Sequence, residues 1–174
     1  MENKSITVQG VKTGLLAAAV SIVIMLLAYV LGISVVGWTF QGISTLFIIG
    51  VMIYGLVSFR KAQGYMDFAQ GLGIVIIAGV ISSLIGYFFT LLYYNVINPG
   101  IIDEIMTQST AMMQKMGMVV NEEMEAQIRQ NAEANMHFSF KNMAFGVVGS
   151  LFLWTILSLI LSAIFKKKNP DDII

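Results

Sequence analysis

The chain has 174 residues, 57% of them hydrophobic and 11% charged, with a mean hydropathy of +0.80 and a formal net charge of zero. Soluble domains carry about a quarter charged residues, so this composition excludes an ordinary soluble fold, and the lack of any basic excess speaks against nucleic acid as a partner. Cysteine is absent, which removes disulfides, thiolate metal sites and cysteine nucleophiles from consideration.

From Thr13 to Phe59 there are 47 residues without an Asp, Glu, Lys, Arg or His. About 20 apolar residues cross the roughly 30 Å of bilayer hydrocarbon, so this run holds two helices. It breaks where Gly32 and Gly37 bracket a short turn ahead of Trp38, a residue suited to the interface. The predicted spans are about 12–31 and 38–59. The first resembles a signal peptide in having Lys4 and Lys12 before it. Its length, and the second apolar run directly after it, favour a retained span.

A polar turn, Arg60 to Asp67, follows. Asp67 with Gln70 three residues later has the spacing of a capping box, in which a side-chain oxygen accepts an orphaned first-turn N–H and Gln reaches back. The third span then runs over about 68–98, to Asn98-Pro99-Gly100. At 1.5 Å per residue it would be roughly 45 Å long, more than the hydrocarbon thickness, so tilt or projection is expected.

Residues 99–141 carry six acids and seven of the twelve methionines. Ile101, Ile102, Ile105, Met106, Met112, Met113 and Met116 recur at helical spacing, Gly117 offers a stop, and Asn121 can cap a second helix whose first turn holds Glu122, Glu123 and Glu125. The segment is predicted to be an amphipathic helical hairpin. Met112, Met113, Met116 and Met118 could present thioethers to monovalent copper, but their place on the isoleucine stripe favours packing. Glu125, Arg129, Glu133 and His137 lie four apart and suit a solvated ion-pair ladder, since the closed ligand set of a metal is not evident. The fourth span covers about 142–165, ahead of Lys166-Lys167-Lys168.

The expected fold is all-α: a single polytopic membrane domain, a four-transmembrane-helix bundle with an extracytoplasmic helical hairpin between spans three and four. Seven of the ten bases (Lys4, Lys12, Arg60, Lys61 and Lys166 to Lys168) fall on one face of this arrangement, which places both termini in the cytoplasm. Small residues four apart, such as Gly10 with Gly14, Gly79 with Ser83, Gly146 with Ser150 and Ser158 with Ser162, let backbones approach and are read as packing within the bundle. A shift of 61 residues superposes Gln9-Gly10 on Gln70-Gly71, Ala17 on Ala78 and Ser21 on Ser82, which suggests an internal repeat.

No predicted span holds an ionisable side chain, which counts against proton-coupled transport, voltage sensing and intramembrane proteolysis. Two residue sets are the candidate sites. Arg60, Lys61, Gln63, Tyr65, Asp67 and Gln70 form a turn that could contact a partner or anionic lipid. Gln41, Ser44, Thr45, Ser82 and Ser83 could line a neutral polar path. The first hypothesis is a non-catalytic accessory or assembly module, with the bilayer, a membrane-protein partner or further copies of itself as its contacts and no cofactor. The second is a small oligomeric transporter or channel for a neutral solute or lipid. An outer-face enzyme using Glu133 and His137 has the least support.

The stretch Phe59-Arg60-Lys61-Ala62-Gln63-Gly64-Tyr65-Met66-Asp67-Phe68-Ala69-Gln70-Gly71, with Tyr93-Tyr94-Asn95-Val96-Ile97-Asn98-Pro99, resembles the domain-of-unknown-function family 4199 of small bacterial membrane proteins, common in Bacteroidetes. The resemblance covers nearly the whole chain. It implies four spans, a long insert before the last of them and a bacterial inner membrane, and it implies no activity and no catalytic residues.

Overall fold

A computed structural model describes the backbone of residues 2–167 and the side chains of residues 6–167. Lys168 and the Lys4 side chain therefore lie outside the described residues. Six α-helices follow one another: α1 (Glu2–Val30), α2 (Trp38–Gln63), α3 (Phe68–Leu92), α4 (Ile101–Lys115), α5 (Glu122–Met136) and α6 (Phe140–Phe165). Four stretches, Ile6–Val30, Trp38–Gln63, Phe68–Ile97 and Phe140–Phe165, are long and apolar enough to cross a membrane.

Glycine ends three of the helices. Gly32, Gly64 and Gly117 have φ of +66°, +82° and +78°, the left-handed conformation that terminates a helix and that side chains with a Cβ resist. At Gly64 the amide donates back to Arg60 O at 2.9 Å and closes α2.

Glycine also sets how closely the helices pack. A Cβ on Gly14 would lie 2.8 Å from Ala78 O, and one on Gly10 would lie 2.8 Å from Ile77 Cβ, so α1 rests backbone against backbone on α3. On the other side of α3, Gly71 meets Ser162 and Gly79 lies under the Trp154 indole of α6. Gly55 of α2 is closed against Thr13 of α1. α3 is thus the axis, with α1 and α6 packed on it and α2 laid mainly on α1. A core of Ala17, Met52, Leu56, Ile74, Val75 and Ala78, all inaccessible to solvent, joins α1, α2 and α3.

The outside of this assembly is apolar as well. Leu15, Val23, Leu27, Leu46, Phe47, Phe145, Phe152 and Ile164 are among many large hydrophobic side chains left exposed on the four long helices. In water such a surface would drive association, whereas hydrocarbon solvates it.

The elements depart from their expected limits at several ends. α1 starts ten residues before Lys12, which is exposed on the helix surface. Polar residues there continue the helix because Ile6 packs on the core and the Gln9 amide donates to Gly55 O at 3.0 Å. α2 runs on through the polar residues to Gln63. The regular part of α3 stops at Leu92, and the chain to Asn98 is a π-helical turn, Tyr93–Ile97, closed by Asn98 N–H on Tyr93 O at 2.8 Å.

Candidate functional site

The predicted capping box is present: the Asp67 amide donates to Gln70 Oε1 at 2.9 Å, and the Asp67 carboxylate accepts from the Gln70 backbone. Both residues thereby begin α3, and Gln70 is buried. The rest of the turn grips α6. Met66, wholly buried, exchanges two backbone hydrogen bonds with Lys167 (3.1 and 2.8 Å), and Arg60 Nη1 donates to Phe165 O at 3.4 Å. An orphaned carbonyl at the end of α6 gains a cationic donor this way, in the position the helix dipole favours. Of the six turn residues, Lys61 and Asp67 are exposed, while Arg60, Gln63 and Tyr65 are half-buried. The structure brings Arg60 and Lys61 to the same edge as Lys166 and Lys167.

The five residues of the expected polar path are not gathered around one lumen. Thr45 Oγ1 donates to Gln41 O at 2.7 Å, Gln41 Nε2 to Val35 O at 3.1 Å, and Ser82 Oγ to Gly79 O at 3.1 Å, so each serves nearby backbone. Ser83 accepts from Trp154 Nε1 at 3.4 Å. Ser44 Oγ is covered and has no hydrogen-bond partner. Thr45 instead lines a lateral groove between α2 and α6 with Ile48, Ile49, Ser150, Leu153, Trp154 and Leu157, a cavity of about 310 Å³. Trp154 is a residue that sequence reasoning missed. Its signal was Gly79 and Ser83 four apart on α3, the slot that receives its ring and the acceptor for its N–H.

At the opposite end the π-helical turn organises the chain. Tyr93 is 1% exposed and packs with Ala28, Val35 and Ile101, edge-on to Tyr29 at 6.1 Å. Asn95 Nδ2 donates to Leu91 O at 2.8 Å and to Met136 O at 2.7 Å, closing the end of α5. Glu104 of α4 accepts from Asn98 Nδ2 at 3.0 Å and from Ser34 Oγ at 2.8 Å, which ties α4 to the turn after α1. Tyr87 OH donates to Ser139 O at 3.2 Å and accepts from Ser139 N–H at 3.3 Å, so it holds the α5–α6 turn.

Asn121 caps α5 by accepting from Met124 N–H at 2.9 Å, as predicted. Arg129 pairs across to Asp103 of α4 at 3.3 Å, and His137 stands at the C-cap of α5. Ile101 is buried and Ile105 packs with Met136 beside Tyr93, but Met112, Met116 and Met118 remain exposed. Among the described residues no three His, Asp or Glu side chains converge as metal ligands.

Four apolar helices with an uncovered apolar exterior, joined by side chains spent on closing helix ends, define a small all-helical protein compatible with membrane insertion. No curated protein and no solved structure matches the chain. A family described as proteins of unknown function, DUF4199, matches residues 12–167, and the chain belongs to that family. Both sequence stretches that carried the resemblance are the clasps just described.

Proposed function

We propose that this is a four-span bundle of a bacterial inner membrane, with the Arg60–Lys167 end in the cytoplasm and α4–α5 as an outward helical hairpin. In this reading it is a non-catalytic accessory or assembly module whose outward hairpin contacts another membrane protein. The orientation is supported by the excess of bases at one end, since insertion resists translocation of Lys and Arg. One observation carries the functional reading. α4 directs Ile101 and Ile105 onto the bundle yet leaves Met112 and Met116, 41% and 57% exposed, uncovered, with Met112 beside Trp38. Methionine suits such a contact because its unbranched thioether adapts to an irregular partner surface. The neutral-solute path has less support, because the Thr45 and Ser82 hydroxyls serve nearby backbone and Ser83 the Trp154 indole.

Native mass spectrometry after gentle extraction from the source membrane tests the proposal. A second polypeptide at fixed stoichiometry is expected, lost in Met112→Glu/Met116→Glu. Recovery of the protein without one, or a complex indifferent to those substitutions, would overturn the accessory role.

A further inference from the structure

The seam between α2 and α6 is built differently from the other helix contacts. α1 and α3, and α3 and α6, meet through glycines, whereas α2 and α6 diverge around the groove that runs from Thr45 to Leu157. Its walls are Ile48, Ile49, Leu153, Leu157 and the half-buried Trp154 ring. The hydroxyls that line it are turned to their own helices: Thr45 Oγ1 to Gln41 O at 2.7 Å and Ser150 Oγ to Val147 O at 2.8 Å. The groove therefore offers hydrocarbon with no unsatisfied hydroxyl, which suits an alkyl chain and not a polar solute.

At one end of the same two helices the bases collect. Arg60 and Lys61 close α2, and Lys166 and Lys167 follow α6. The Met66–Lys167 bridge and the Arg60–Phe165 hydrogen bond draw the two pairs together. Lys61, Lys166 and Lys167 are exposed. Among the described residues the acid of this edge is Asp67, and its carboxylate is occupied at the start of α3. From Ile49 to Arg60 is eleven residues, about 16 Å along the helix, and from Leu157 to Lys166 nine, about 14 Å. One leaflet of acyl chain spans half of the ~30 Å hydrocarbon core, about 15 Å.

We infer that the α2–α6 seam is a binding site for an anionic phospholipid, with an acyl chain in the Thr45–Leu157 groove and the phosphate among Arg60, Lys61, Lys166 and Lys167. The lipid would fill the gap between α2 and α6, and it would tie these two helices together where protein contacts are few. This rests on the membrane reading above.

Trp154 reports on the groove, and Trp38→Phe leaves it as the single indole. The test places that variant in symmetric vesicles, so that orientation does not matter, with either phosphatidylglycerol or phosphatidylcholine carrying mid-chain bromine diluted in unlabelled phosphatidylcholine. Brominated phosphatidylglycerol is expected to quench Trp154 at about threefold or more lower mole fraction, a modest return from several bases that each act near the surface. Adding Lys61→Gln/Lys166→Gln/Lys167→Gln, which spares the Arg60 clasp, is expected to abolish the difference. Equal quenching by the two lipids would overturn the site and leave membrane insertion standing. A preference that survives the triple substitution would overturn the headgroup assignment, and no quenching by either lipid would overturn insertion itself.

Discussion

Glycine does two opposite jobs in this chain, and residue-level predictions follow from telling them apart. At Gly14 an added methyl would meet the Ala78 carbonyl at 2.8 Å, an atom of α3's own backbone that cannot turn aside. Gly50 of α2 has nothing within 4 Å of where its Cβ would stand. Overpacking costs about 1–3 kcal/mol, against a gain of up to ~1 kcal/mol for replacing a mid-helix glycine by alanine. Gly14→Ala should therefore lower stability by about 1–2 kcal/mol, while Gly50→Ala should be neutral or stabilising by up to about 1 kcal/mol. Thermal unfolding of both variants in one detergent checks the contrast, and equal shifts would refute the assigned contacts. The sequence marked Gly10, Gly14, Gly79 and Ser158 as close-packing residues because small side chains recur every fourth position. It marked Gly146 by the same rule, yet Gly146 is open. Spacing identifies a face on which helices could approach, and only the relative placement of helices decides which faces are used.

At the scale of elements, the two ends of the long helices are held by side chains acting on other segments' termini. Glu104 bears most on the end opposite the basic edge, since it joins the π-helical turn, the turn after α1 and the first turn of α4. Hydrogen bonds to a charged group are worth about 1.5–3 kcal/mol, but Glu104 is half-exposed and water will replace part of the loss, so Glu104→Ala should cost about 1–2 kcal/mol locally. Amide exchange over residues 93–115 should then accelerate about tenfold. Asp103→Ala should change it little, because the Asp103–Arg129 pair is exposed at 80% and 51% and such pairs contribute about 0–1 kcal/mol. A larger effect from Asp103 than from Glu104 would reverse the assignment. The helices, the Asp67–Gln70 capping box and the Asn121 cap were legible in sequence because each is local, decided within a few residues. The π-helical turn, the Arg60–Phe165 contact and the Ser34–Glu104 bond join residues 5, 105 and 70 positions apart, and no periodicity encodes them. Of the candidate turn residues, Arg60, Asp67 and Gln70 serve the chain's own helix ends.

For the whole molecule the open question is which side of a membrane each end faces, and charge makes a definite prediction. Arg60, Lys61, Lys166 and Lys167 gather at one end, and the opposite end carries Asp103, Glu104 and the acids of α5 among fewer bases. Since retained bases orient short-looped helices and acids contribute little, the proposed orientation puts the basic end in the cytoplasm. The absence of native cysteine makes this directly measurable. Val119, 87% exposed between α4 and α5, and Ala62, exposed near the end of α2, are surface positions at opposite ends. In cells with a permeabilised outer membrane, Val119→Cys should react with an impermeant maleimide and Ala62→Cys should not until the inner membrane is broken. The reverse pattern would invert the molecule and put the acidic pair of helices in the cytoplasm. Labelling of both sites in intact cells would mean that the long helices do not form a closed barrier crossing. The four bases at the helix ends lie on one edge, so a single labelling pattern answers for all of them.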